Sequence, residues 1–177
     1  MRLSYLVAQL AHTMGKASKD SSFRIRPAID ILQRIGHLPP RATVLSLGCR
    51  NRIEPDLLEQ AGWRVTAVDL FPMARGIRRA DMHGLPFQDR TFDAVVASHC
   101  LEHSYDPGRA VSEVWRVLRG GGCGWIACPV NFRPSAHDLQ DFGSIGGLLR
   151  HVPGTYIIEW SRTAATEIAV LVRKSDA

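Results

Sequence analysis

The sequence predicts an α/β fold: a seven-stranded, mostly parallel sheet, helices on both faces, and an antiparallel hairpin at the C-terminal end. Three observations carry this reading. From residue 43 onward, apolar runs of strand length alternate with helical patterns, and strands joined through helices pair in parallel. Val44-Leu45-Ser46-Leu47-Gly48-Cys49 breaks at a glycine, and about twenty residues later Val65-Thr66-Ala67-Val68 ends on Asp69. Strand, glycine turn, helix and a strand closing on an acid form the front half of a nucleoside-binding unit. Finally, Tyr156–Trp160 and Glu167–Val172 have only six residues between them, too few for a crossover helix, which makes them a hairpin.

The elements follow in order. Residues 2–14 have helical spacing, with Leu3, Leu6, Val7 and Leu10 on the apolar face, and Gly15 to Ser22 is a polar break. Pro27 suits the first turn of a helix with Ile31, Leu32 and Ile35 on its apolar face, which Gly36 and Pro39-Pro40 end. Strands are expected at 43–47, 64–69, near 77–80, and at 92–98, 123–128, 155–160 and 167–173. Helices are expected at 54–61, 107–118 and 141–151, the second opened by Asp106-Pro107 and closed by Gly120-Gly121-Gly122.

The bulk properties fit one globular domain: 177 residues, 45% hydrophobic and 22% charged. The net charge of +5 is uneven, because residues 1–50 hold eight Lys/Arg against Asp20 and Asp30. A basic arm suits an anionic substrate, a nucleic acid or simply a solvated face. No stripe of Lys/Arg and aromatics is visible, so a nucleic-acid partner is not expected. Cys49, Cys100, Cys123 and Cys128 lie in or beside apolar runs without zinc-site spacing. They read as buried free thiols of a cytoplasmic protein. No apolar run approaches the ~20 residues of a membrane span, and Leu3 to Leu10 does not read as a signal peptide.

Five pieces in order resemble the class I S-adenosylmethionine-dependent methyltransferases, and within them the small single-domain group with the LEH signature. Besides the two runs above, they are Ala80-Asp81-Met82-His83-Gly84-Leu85-Pro86-Phe87, the stretch Phe92 to His103 ending Leu101-Glu102-His103, and Val114 to Gly122. The resemblance spans residues 41–173 and implies a Rossmann-like fold with S-adenosyl-L-methionine as cofactor. By its pattern Ser46, Gly48, Cys49, Arg50, Asp69, Leu70, Asp81, Met82 and His99 would bind the cofactor. Gly48 would admit its methionine end, Asp69 the ribose diol, Asp81 the adenine amino group and the Met82 N–H a ring nitrogen. His99, just past the fourth strand, would face the sulfonium and the acceptor as a base, with His103 the second catalytic candidate.

The loop departs from that pattern. Ser46 stands where an acid is usual, and Arg50 and Arg52 where glycines are. Ser46 can still accept from the cofactor's ammonium, and Glu54 could supply the missing charge. The two arginines either point outward or meet the cofactor's carboxylate or an anionic acceptor. His99-Cys100-Leu101-Glu102-His103 also fits the H-x-x-E-H pattern of a zinc peptidase. It leaves a buried strand, however, and lacks a third ligand at recognisable spacing, so no metal is expected. The segment from Asn131 to Asp141 should cover the acceptor, with His137 and Asp138 as polar groups and Phe132 and Phe142 as a wall. Lacking long insertions, the chain divides into residues 1–36, a helical arm capping the acceptor site, and 37–177, the core. So small a cap leaves the site open or completed by a second subunit in a homodimer. The expected function is methyl transfer to a hydroxyl or amine of a small-molecule acceptor, with no membrane partner. The alternative is a non-catalytic binding or partner protein with a degenerate cofactor loop.

Overall fold

The computed structural model describes residues 3–176; the first two residues of the expected arm and the last of the core lie outside the described residues. One sheet has strand order β3-β2-β1-β4-β5-β7-β6. Its strands are β1 (Thr43–Leu47), β2 (Arg64–Asp69), β3 (Ile77–Arg79), β4 (Phe92–Ser98), β5 (Leu118–Pro129), β6 (Tyr156–Thr163) and β7 (Glu167–Lys174). The helices are α1 (Leu3–Gly15), α2 (Ser22–Arg34), α3 (Ile53–Gln60), α4 (Pro107–Val117) and α5 (Ile145–Leu149). β1 pairs in parallel with both β2 and β4, so the chain order reverses between β1 and β4. Open α/β sheets bind ligands beyond the carboxyl ends of strands at such a point. β7 alone runs backwards, antiparallel to β5 and β6.

The core has two large faces. On one, Leu45, Val95, Ile126 and Val170 meet α4 through Ala110, Val111 and Val114. On the other, Val44, Val96 and Trp125 meet Ile25, Ala28 and Leu32 of α2, which are fully buried. At ~25 cal/mol per Å² of apolar surface, burying one such isoleucine or leucine stabilises by roughly 2 kcal/mol. α2 is therefore core, and the expected division at residue 36 does not follow the packing. α2 also begins earlier than Pro27 suggests, leaving that proline inside the helix.

Two further boundaries differ. The glycines 120–122 do not end α4; they belong to β5, which starts at Leu118. A Cβ on Gly122 would lie 2.9 Å from the Asp93 carbonyl oxygen, so the strand passes there only as glycine. α5 is shorter than the expected 141–151, because Gly143 takes φ +67 and Ser144 caps the helix by accepting from the Gly147 N–H. The expected start of α4 holds: Asp106 accepts from the Arg109 N–H, with Pro107 next to it.

α1 is turned opposite to expectation. Leu3 and Val7 are 76% and 60% exposed, whereas Gln9 and Thr13 are buried. The reason lies beneath the helix, where the carboxyl edge of the sheet is polar.

Candidate functional site

β1 and β4 are neighbours with Leu47 opposite Ala97, so the residues that follow them, Gly48 and His99, emerge side by side. Gly48 turns at φ +73, and a Cβ there would lie 2.4 Å from Cys100 Cβ. Arg50, in place of a glycine, keeps the left-handed backbone at φ +56. Its N–H donates to Asp69 Oδ2 at 2.8 Å, and the Phe71 N–H donates to Oδ1 at 2.7 Å. Burial raises the Asp69 pKa against these bonds. Two amides thus fix the carboxylate, and each oxygen retains a lone pair.

A cavity of about 70 Å³ lies between this edge and α1. Gly48, Arg50, Asp69, Leu70, Met82, His99 and His103 line the core side, and Tyr5, Gln9, His12 and Thr13 line the α1 side. Those four positions recur at helical spacing, which explains the inverted burial of α1. Its anchors are polar: the Tyr5 hydroxyl donates to the His103 carbonyl at 2.9 Å, and Gln9 Nε2 donates to the His137 carbonyl at 2.7 Å. The His12 ring lies tilted against that of His137, with centroids 4.1 Å apart. Typical ligand pockets hold about 300–1,000 Å³, so this cavity is small for a nucleoside-sized ligand with α1 in this position. A second cavity, of about 410 Å³, shares His12, Arg50, His99 and His103 with the first.

His99 holds φ +53 past the end of β4. Its Nε2 lies 2.9 Å from Glu167 Oε2, and its Nδ1 lies 4.0 Å from Glu102 Oε1. Burial, then the charge of Arg24, lowers the His99 pKa even though Glu167 opposes the shift. Glu102 is fully enclosed, its Oε2 has no partner, and burial pushes its pKa up to about 7. Sequence reasoning missed Glu167. The reversed β7 begins at the edge where the parallel strands end, opposite Pro129, and only that topology brings it to His99. His103, in a 3-10 turn over Leu101–His103, bonds through Nδ1 to the His137 carbonyl at 2.8 Å and to Asp138 at 3.0 Å. Burial pulls its pKa down, but Asp138, Glu102 and that carbonyl together raise it.

Three expected cofactor contacts are placed otherwise. Ser46 is fully buried and donates to Glu54 Oε1 at 2.7 Å. Neither of the two lines the cavity; burial pushes the Glu54 pKa up to about 7. Cys49 points into the core toward the Val68 carbonyl. Asp81 Oδ1 accepts from the His83 N–H at 3.0 Å and meets His83 Nδ1 at 2.6 Å, while Oδ2 accepts from Tyr105. Its carboxylate orders the adjoining loop, and Met82 beside it faces the cavity. Arg52 points outward to Asp56 and Glu59. Phe142 is core and does not form the expected wall.

The H-x-x-E-H pattern forms no helical face, because His99, at φ +53, lies outside the 3-10 turn that holds His103. His12, His103 and Asp138 do bring ligand atoms within 4.8 Å of one another, with the Lys16 ammonium 3.0 Å from His12 Nε2. All four cysteines are buried and unpaired. Among the described residues, no helix is long and apolar enough to cross a membrane.

Residues 45–126 match the family model described as a methyltransferase domain. A probable S-adenosylmethionine-dependent methyltransferase of Mycolicibacterium smegmatis is 31% identical over 133 residues, covering 68% of this chain and 51% of that protein. A ubiquinone biosynthesis O-methyltransferase of Xanthomonas oryzae pv. oryzae is 29% identical over 120 residues, covering 58% of this chain and 49% of that protein. The chain thus spans about half the length of these curated relatives. Among solved structures, a Burkholderia thailandensis 1,6-didemethyltoxoflavin-N1-methyltransferase, with that molecule and S-adenosylhomocysteine bound, superposes with a TM-score of 0.69. It is 24% identical, and the match covers 98% of this chain and 87% of that one. The sheet order, the glycine turn facing Asp69 and the matched residues 45–126 agree: the chain belongs to the class I S-adenosylmethionine-dependent methyltransferases.

Proposed function

We propose that this chain transfers the methyl group of S-adenosyl-L-methionine to a hydroxyl or amine of a small-molecule acceptor. The observation that carries the reading is the convergence of Gly48, Asp69 and His99 on one cavity at the switch point of the sheet. The residues present fit the cofactor: Gly48 offers backbone without a side chain, and Asp69 is an acceptor pair already oriented by two amides. Met82 and Leu70 would flank the base. When bound, the cofactor supplies a methyl group on a sulfonium. Relatives named for quinone and toxoflavin methylation support a small acceptor.

The residues would work by placement, since holding the nucleophile in line with the methyl group supplies much of the barrier reduction. With its N–H on Nε2 facing Glu167, His99 keeps a lone pair on Nδ1. Its lowered pKa leaves that nitrogen free to take a proton at neutral pH. Glu102, nearby and pushed toward its neutral form, would not attract a second proton there.

The alternative, a protein that keeps the fold without turnover, draws on the same loop, in which the Ser46 hydroxyl is committed to Glu54. Calorimetric titration with S-adenosylhomocysteine, followed by transfer of labelled methyl from S-adenosylmethionine to candidate phenols and amines, separates the two. Saturable binding with turnover supports the enzyme. Binding of no cofactor would sink it.

A further inference from the structure

The larger cavity carries charge that its own walls do not neutralise. Lys16, Arg24 and Arg50 line it together with His12, His99 and His103. Its acids are Glu102, Asp138 and Glu167. Two of them are already matched, Glu167 to His99 and Arg162 and Asp138 to His103 and His137. The third, Glu102, is driven toward its neutral form by burial.

Arg24 and Arg50 have no direct ion-pair partner in return, although the Asp69 charge acts on Arg50. Among the described residues, no ion pair involves Arg24 or Arg50. Arg24 lies over the Phe23 ring, 5.3 Å from its centroid, and Arg50 Nε is buried without a hydrogen-bond partner. An unpartnered guanidinium nitrogen shut away from water is costly unless a ligand completes it. A guanidinium fork also matches the oxygens of a carboxylate or phosphate. Arg24 lines only the outer cavities, whereas Arg50 lines both these and the cofactor cavity, so the two arginines bridge the route between them. Phe23 and Pro129 supply apolar wall in the same cavity.

We infer that the acceptor is a small acid: its carboxylate or phosphate sits on Arg24 and Arg50, with Lys16 at the rim, and its hydroxyl or amine faces His99. The inference rests on the methyl-transfer reading for what happens at His99, but the anion site itself rests on the placement of the two arginines.

The test uses benzoate, phenyl phosphate and the neutral isostere benzamide, each titrated into the full chain with and without saturating S-adenosylhomocysteine and followed by protein NMR. Either anion should bind at least about tenfold more tightly than benzamide, as expected for one charge-assisted contact. Its binding should move the His99 resonances and survive saturation with S-adenosylhomocysteine. Preference for benzoate or for phenyl phosphate identifies which anion the site takes. Arg24→Gln, a change on the exposed face of α2, should remove the preference over benzamide while leaving S-adenosylhomocysteine affinity unchanged; Lys16→Gln should weaken it less. Equal binding of benzoate and benzamide, insensitivity to Arg24→Gln, or competition between the anion and S-adenosylhomocysteine overturns the inference. Failure of S-adenosylhomocysteine to bind would instead count against the methyl-transfer reading, and the titrations without it would still decide the anion site.

Discussion

His99 Nε2 lies 2.9 Å from Glu167 Oε2, a contact between residues 68 apart that joins the end of β4 to the start of the one reversed strand. With the N–H on Nε2 donating to that carboxylate, Nδ1 keeps its lone pair, 4.0 Å from Glu102 Oε1. Glu167→Gln should lower the His99 pKa further, because the hydrogen bond and charge of Glu167 are what raise it. An NMR titration of the His99 ring reads this without any acceptor. An unchanged midpoint would show that Glu167 serves only Arg162. Where turnover can be followed, the rate should fall about 10- to 100-fold, the usual cost of losing an orienting partner.

Asp69→Ala should weaken S-adenosylhomocysteine binding by about 2 kcal/mol, or roughly thirtyfold. It also strands the Arg50 and Phe71 amides that now donate to the carboxylate. Calorimetry on the folded variant measures the loss. A parent-like affinity would exclude Asp69 from the ribose site.

Gly48→Ala tests the turn. The added methyl meets Cys100 Cβ at 2.4 Å, on a backbone at φ +73 that side chains resist. The combined cost should be about 3 kcal/mol in urea denaturation. A loss below about 1 kcal/mol would mean that the fourth-strand loop yields, and with it the argument for close backbone approach.

Acid should loosen α1. Burial, followed by the charge of Lys16, pulls the His12 pKa down to about 4, whereas a lifted helix would return it to ~6.5. The open form therefore binds the extra proton between those values. The His12 contribution to closure is full above pH ~6.5, weakens as pH falls toward ~4, and changes no further below that. Hydrogen exchange of the α1 amides, corrected for intrinsic rates, should show this slope, and His12→Ala should flatten it.

Removing residues 1–19 should leave a cooperatively folding core, because α2 starts at Ser22 and Asp20 still accepts from its N–H at 2.7 Å. S-adenosylhomocysteine should still bind, to a more open site. A molten product would show that α1 stabilises the core after all.

The bounds of β1, β2 and β4 could be read from the sequence because each is an apolar run cut by a glycine, an acid or a polar residue. Gly48, Arg50, Asp69, Leu70, Met82 and His99, named from the family pattern, line one cavity because they lie at the strand ends of the edge where the sheet reverses order. The orientation of α1 was not legible. Periodicity shows that Leu3, Val7 and Leu10 share a face, but not that the surface below is a polar cavity preferring Gln9 and Thr13. Glu167 was hidden because sequence gives no register between β5 and β7. The Ser46–Glu54 pair shows the limit of reading by position, since the loop recovers its carboxylate from α3 and spends it on a hydroxyl inside the core.

The outward apolar stripe of α1 has a kinetic consequence. The helix covers the cavity of about 70 Å³ at the Asp69 edge, and a cofactor should fill that edge fully only when the helix lifts. Two side-chain hydrogen bonds hold the helix there, from Tyr5 and Gln9, and each contributes roughly 1 kcal/mol. Leu3 and Val7 already face solvent, so lifting the helix forfeits little apolar burial. At about 2 kcal/mol, a few per cent of molecules are open at any instant. Association should therefore saturate with cofactor concentration at the opening rate, and the apparent affinity should be reduced by the open fraction.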